Sequence, residues 1–277
     1  MNNIPTHSSA QNSEVYVLNV GKEAEDRLDL LDKVYGGHSR NFLKKILNKG
    51  LNVATFGCGT GNLEIWISQQ VGENGKILAS DISEKQLEIA RKKANQLGIK
   101  NIEFICSDIY DLNLPAKFDL GYSRYLLMHL TKPNNAVKKM ISALKSGGSI
   151  VLEEISTISG FSDPKNVFAD QALNIMLKIA EKHQLDYNIG YKLFSLLIQA
   201  GIDNIVTNSY QPMFSTGEEK LYVNRSVAEA FSSIVENRNL NAEELNNILK
   251  NANQFALQHN TLIGLPISYQ VHGKKLS

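Results

Sequence analysis

The sequence predicts an α/β fold, a parallel sheet with helices on both faces. Two observations carry that prediction. From Asn52 to Glu154 short apolar runs alternate with helical stripes, the pattern of strand–helix–strand crossovers. The first run closes on "GCGTG", Gly57 to Gly61, a turn whose missing Cβ atoms let the main chain approach a ligand. Right-handed crossovers leave few topologies for such an alternation.

Residues 1–13 read as a loose polar tail. "KEAEDRLDLLDKVYGGHSRNFLKKIL", Lys22 to Leu47, reads as two helices broken at Gly36-Gly37, with Leu28, Leu31 and Tyr35 on one face of the first and Phe42, Ile46 and Leu47 on the second. "LNVATF" is a short buried strand. "NLEIWISQQV" is a helix with Leu63, Trp66, Ile67 and Gln70 on one side, and "KILASD" is the second strand. "SEKQLEIARKKANQLG" is the clearest helix: Ser83 and Gln86 fit a capping box, Leu87, Ala90, Ala94 and Leu97 form its stripe, and Gly98 ends it. "NIEFIC" and "FDLGYS" are further strands. "PNNAVKKMISALKSGG" is a helix opened by proline and closed by glycines, and "SIVLEE" follows as a strand.

Beyond Glu154 the regularity breaks. "YKLFSLLIQAG" leads as a helix into the strand "IDNIVTNSY", and "LIGLPISYQVHG" reads as one more strand. Residues 157–188 and 212–258 read as largely helical inserts on the sheet, a lid rather than an independent domain. The division predicted is 1–48, a tail and helical segment, and 49–277, one domain carrying the lid.

Composition narrows the function. Lys plus Arg is 29 against 28 for Asp plus Glu, a net charge of +1 that offers a polyanion no general attraction, so no nucleic-acid partner is expected. Two cysteines, Cys58 and Cys106, make no CxxC pair and predict a reducing compartment, the cytoplasm. The start has no signal-peptide pattern and no apolar run approaches a membrane span, so no membrane is expected. The histidines lack ligand spacing, and no metal is expected.

In an open α/β sheet ligands bind at the carboxyl ends of the strands. The glycine turn is not the dinucleotide fingerprint: from Gly57 the third glycine position of G-x-G-x-x-G falls on Asn62, and from Gly59 on Glu64. The next strand ends in Asp81, placed to accept hydrogen bonds from both hydroxyls of a ribose. The third is followed by Asp108 in "CSDIYDL", placed to accept from the exocyclic amine of an adenine.

With "FGCGTG", "SDIS", "CSDIYDL", "FDLGYSRYLLMHL" and "LKSGGSIVLEE" in that order, the stretch from Asn52 to Glu154 resembles the class I S-adenosylmethionine-dependent methyltransferases, in their small-molecule, ubiquinone/menaquinone-biosynthesis-like group. The resemblance implies a Rossmann-like, seven-stranded, mostly parallel sheet whose last strand, within Leu262 to His272, runs antiparallel. It implies S-adenosyl-L-methionine as cofactor and S-adenosyl-L-homocysteine as product. It assigns Gly57, Gly59 and Gly61 to the methionine end, Asp81 to the ribose and Asp108 with Ile109 to the adenine, and it counts Cys58, Ile82, Gln86 and Thr55 among the cofactor-binding residues. Ser123 and Arg124 would floor the site by main-chain contact. The position two before Gly57 is usually acidic in the family and is Thr55 in this chain, which leaves a hydroxyl without a charge. "EVYVLNVGKEAEDRLDLLDKVYG" also looks like a cofactor-covering segment of a subgroup, bringing Tyr16 and Arg27 toward the methionine carboxylate.

Methyl transfer from a sulfonium mainly needs donor and acceptor aligned and water kept out. His129, in "LLMHL", is the candidate general base, against the reading of a structural histidine. Glu153 and Glu154 end a strand near the acceptor side. Phe161, Phe168, Tyr187, Tyr191, Phe214 and Tyr222 are candidates for an apolar acceptor pocket or for lid core. The function expected is methyl transfer to a small molecule at oxygen, nitrogen or carbon, by a monomer or homodimer. The alternatives are a protein methyltransferase and a cofactor-binding, non-catalytic member of the fold.

Overall fold

The computed structural model describes residues 22–236 and 240–276, so Tyr16 lies outside the described residues. Helix α1 (Lys22–Leu31) runs through a π-helical segment, Asp32–Gly36, into α2 (Gly37–Leu43). The break expected at Gly36-Gly37 is absent, for both glycines are right-handed helical, with φ of −62° and −60°. Gly36 serves space instead: a Cβ there would strike the Asp32 carboxylate and the Arg40 guanidinium, which pair across that turn at 2.6 Å.

The alternating region follows as β1 (Asn52–Phe56), α3 (Asn62–Val71), β2 (Lys76–Asp81), α4 (Glu84–Gln96), β3 (Ile102–Cys106), β4 (Phe118–Arg124), α5 (Pro133–Ser142) and β5 (Leu144–Ser156). The rest of the chain contributes β6 (Phe161–Asp163), α6 (Val167–Lys182), α7 (Leu193–Gln199), β7 (Ile202–Tyr210), β8 (Met213–Phe214), α8 (Tyr222–Glu229), α9 (Phe231–Glu236), α10 (Ala242–Ala256), β9 (Leu262–Gly264) and β10 (Ile267–Lys275).

The main sheet has seven strands in the order β3-β2-β1-β4-β5-β10-β7. β1, β2, β3, β4 and β5 pair in parallel, and β10 runs antiparallel to both β5 and β7. Strand order reverses at β1, between β2 and β4, so the crevice beyond their carboxyl ends is the natural ligand site. Successive strand residues feed opposite layers, as the period of two requires. Val53 and Val151 pack with Ile67 and Leu87 on one face, while Ala54, Ile150 and Leu152 pack with Leu144 and Met140 on the other.

Several local expectations change. Ser83 caps α4 by accepting from the Gln86 N–H at 3.4 Å, but the Gln86 side chain turns to the crevice, so only half of the capping box forms. On α3 the buried face is Leu63, Glu64, Ile67, Ser68 and Val71, with Trp66 and Gln70 half-buried. "LIGLPISYQVHG" holds two strands rather than one, parted by Leu265-Pro266. The first of them, β9, pairs with β6 and β8 in a small antiparallel sheet that stitches three lid segments together. Helices α6, α8 and α10 pack on one another, and α1 packs on α8, so the N-terminal helix touches the lid. Lys220 ties this region from within, donating to the carbonyls of Ser215, Gln258 and Thr261 and to Thr261 Oγ1. Among the described residues no helix is long and apolar enough to cross a membrane.

Gly61 is where the turn meets α4. Its φ is +75°, and a Cβ would lie 2.9 Å from the Ala90 Cβ. Gly147 shares a positive φ of +72° but faces open space. Gly61→Ala should therefore cost about 2–4 kcal/mol in urea unfolding, and Gly147→Ala only about 1–2 kcal/mol. Equal costs would remove close packing as the reason for Gly61.

Candidate active site

The site begins at the turn after β1. Gly57, Gly59 and Gly61 all take positive φ, at +72°, +53° and +75°. The N–H groups of Gly57 and Cys58 both donate to the Ser80 carbonyl of β2, at 2.8 and 3.0 Å. Asp81 fixes the next link: its Oδ2 accepts from the Gly59 N–H at 2.8 Å and its Oδ1 from the Ser83 N–H at 2.9 Å. One carboxylate thus holds together the loops that follow β1 and β2. Burial raises its pKa above the ordinary carboxylate value, and the N–H bonds from Ser83 and Gly59 oppose that rise.

A single cavity opens beneath these tips. Its first end is lined by Gly57, Cys58, Gly59, Asp81, Ile82, Gln86, Asp108 and Ile109. Asp108 is oriented by the Tyr110 N–H, which donates to Oδ1 at 2.9 Å. Ile82 is exposed and Ile109 buried, so this end has apolar surface beside the Asp108 carboxylate. Cys58 lines the wall as a thiol whose pKa burial pushes far up, which keeps it an unreactive spacer.

Toward the sheet the wall becomes charged. Arg124 lines the cavity, and its Nη atoms bond Ser39 Oγ and Asp32 Oδ1 at 3.3 Å each. Behind it, Glu153 accepts from Ser39 Oγ (2.7 Å), Tyr122 Oη (2.9 Å) and Gln270 Nε2 (2.9 Å). This buried network docks the N-terminal helix onto β4, β5 and β10. Arg27 also lines the cavity and pairs with Glu229 of α8 at 2.7 Å.

The far end is apolar, lined by Met128, Leu130, Ile155, Leu173, Met176 and Tyr222 among others. His129 and Tyr187 face it together, with Tyr187 Oη 3.4 Å from His129 Nδ1. Burial, aided by the Arg27 charge, drives the imidazole down to about 3, so it is neutral at physiological pH. The 3-10 turn carrying it, Leu127–His129, is capped by Glu154, whose Oε1 accepts from the Leu127 N–H at 2.6 Å.

The structure does not bring every expected residue to the cavity. Thr55, Gly61 and Ser123 do not line it: Ser123 Oγ donates to the Phe56 carbonyl, Gly61 packs on α4, and Thr55 is fully buried in β1. Glu153 and Glu154 stand behind the wall. Of the six lid aromatics, only Tyr187 and Tyr222 face the cavity; Phe168 and Phe214 join the core, and Phe161 and Tyr191 are exposed. Sequence reasoning missed Glu64, which lines the cavity from the first turn of α3. The signal was a carboxylate on a helix face otherwise apolar.

The described residues hold no cluster of His, Cys, Asp or Glu suited to a metal. The profile of the methyltransferase domain family matches residues 47–215, well over half the chain. The chain belongs to that family. The ubiquinone/menaquinone biosynthesis C-methyltransferase UbiE of Azotobacter vinelandii is 28% identical over 148 residues, 50% of this chain and 56% of that protein. The UbiE of Francisella tularensis subsp. tularensis is 29% identical over 184 residues, 61% of this chain and 72% of that one. The chain thus spans little more than half the length of the first of these. The YcgJ protein of Bacillus subtilis shares the fold at a TM-score of 0.59 and 16% identity, covering 87% of this chain and all but 1% of its own (99%). The fold is that of the class I S-adenosylmethionine-dependent methyltransferases, and the glycine cradle and the two strand-tip acids fit that cofactor.

Glu154 gives the site a pH signature. Burial lifts it to about 8, against 4.5 for a free glutamate, and the N–H bonds at Leu127, Met128 and Leu126 only partly offset that. Between those values the folded chain holds a proton that the unfolded chain has released, so stability is full at low pH and falls as pH rises toward 8. Glu64, lifted to about 7, adds to the same slope. Unfolding free energy should drop from pH 5 to pH 8, with Glu154 contributing on the order of 3–5 kcal/mol. Glu154→Gln should flatten the slope; an unchanged slope in urea titrations would place the proton elsewhere.

Proposed function

We propose that the protein transfers a methyl group from S-adenosylmethionine to a small, largely apolar acceptor. The observation that carries this reading is the continuity of one cavity. It runs from the glycine turn and the two strand-tip acids to an apolar chamber under the lid. When bound, the cofactor supplies an electrophilic methyl on sulfur. The chain's own work is then to bind, orient and dry the reactants.

Asp81 and Asp108 receive the ribose hydroxyls and the adenine amine, and Ile82 and Ile109 pack the purine. Gly57 and Gly59 leave room for the cofactor's tail against the main chain, and Cys58 serves as a spacer. Helices α6 and α8 close the chamber, with Met176, Tyr222 and Val223 displacing water. His129 orients the acceptor as a neutral imidazole, since an imidazole driven to about 3 is too weak a base to take the acceptor's proton. Carbon is the acceptor atom favoured, because the UbiE relatives are C-methyltransferases by name. The balanced charge and free cysteines support a cytoplasmic enzyme without a nucleic-acid partner.

Calorimetric titration with S-adenosylhomocysteine, followed by a screen of phenolic, quinol, amine and carboxylate acceptors for methyl transfer, tests the reading. Binding without transfer to any acceptor class would favour a non-catalytic member of the fold. Asp81→Ala should weaken cofactor binding by about 1.5–3 kcal/mol, because a charged acceptor of two hydroxyls is lost. An unchanged titration would place the ribose acceptor elsewhere. His129→Ala should lower turnover at unchanged cofactor affinity; full activity would return His129 to a structural role.

A further inference from the structure

We propose that Glu64 is the anionic seat for the α-ammonium group of the cofactor's amino-acid tail. The proposal rests on the cofactor reading above and adds a residue to it.

Glu64 stands in the first turn of α3, directly after the glycine turn, and is 4% exposed while lining the cavity. Among the described residues it makes no salt bridge, although Arg124 lies close enough to favour its charged form. The other two carboxylates of the cavity have backbone partners. Asp81 accepts from Gly59 and Ser83, and Asp108 from Tyr110. Glu64 too has neutral partners, its own main-chain N–H and the Thr55 hydroxyl, but no cation is paired with it among the described residues. A buried carboxylate left without one is costly, and burial accordingly lifts it to about 7.

The surroundings also fix a direction. An amino-acid tail carries one positive and one negative group. The wall offers Glu64 for the first, and for the second the Arg124 guanidinium with the open N–H groups at the start of α3. Thr55 completes the arrangement from behind. Its hydroxyl is buried without a well-formed partner and lies against the Glu64 carboxylate, so it braces the acid and does not reach the cavity. The strand position that lacks a charge and the helix position that has one therefore act as a pair.

The test compares S-adenosylhomocysteine with 5′-methylthioadenosine, which keeps the nucleoside and sulfur but has no amino-acid tail. Glu64→Gln should weaken S-adenosylhomocysteine at least tenfold and leave methylthioadenosine within about twofold. The wild-type protein at pH 7 should release about half a proton on binding S-adenosylhomocysteine, read from calorimetry in buffers of different ionisation enthalpy. Glu64→Gln should abolish that release. Equal S-adenosylhomocysteine affinity in wild type and variant overturns the proposal and leaves the cofactor reading standing. Equal weakening of both ligands overturns it too, because the acid would then act on the whole site. Failure of S-adenosylhomocysteine and methylthioadenosine alike to bind the wild type would instead remove the cofactor reading, and this proposal with it.

Discussion

The site depends on the bond from the Gly59 N–H to the Asp81 carboxylate. It joins the loop after β1 to the loop after β2 at the point where strand order reverses. The turn can bend that far only because three alternate residues take a backbone conformation that a side chain disfavours. With the turn so bent, α3 starts close to the cavity, its first-turn N–H groups face inward, and Glu64 follows them. A nucleoside ligand then meets two fixed strand tips instead of mobile side chains.

The charged groups around the cavity are arranged in layers. Arg124, Glu64 and the two strand-tip acids line the cavity itself. Behind them, Glu153 takes three hydrogen bonds from Ser39, Tyr122 and Gln270, and Asp32 receives both Arg40 and Arg124. Such a network is worth little as net stability, since each charge gives up its hydration, but it fixes which surfaces meet. It fixes α1 and α2 against the sheet, and so brings Arg27 to the cavity and α1 to the lid helix α8. The far end is lined largely by apolar side chains, Met128, Met176 and Tyr222 among them, and the methionines are adaptable in shape.

Much of this was legible in the chain. The strand tips could be placed because apolar runs, helical stripes and glycine stops repeat from Asn52 to Glu154, and Gly57, Asp81 and Asp108, at or just past three of those tips, line the cavity. The lid sheet was not legible. Strands of two or three residues, such as Met213–Phe214 and Leu262–Gly264, are too short to show alternation, and their pairing is decided by distant partners. Gly36-Gly37 misled because glycine pairs ordinarily end helices, whereas here the helix continues and Gly36 gives room to an ion pair. Glu64 was hidden by its position, for an acid in a first turn reads as a favourable dipole partner until the fold shows that it points inward.

The central claim is that neighbouring strand ends hold one nucleoside sulfonium, with acids on its sugar and purine. A crystal structure grown with S-adenosylhomocysteine tests it most directly. The account predicts density filling the cavity, the ribose hydroxyls on Asp81 and the adenine amine on Asp108. An empty crevice under saturating ligand, or a nucleotide seated with its phosphates on the glycine turn, would contradict it.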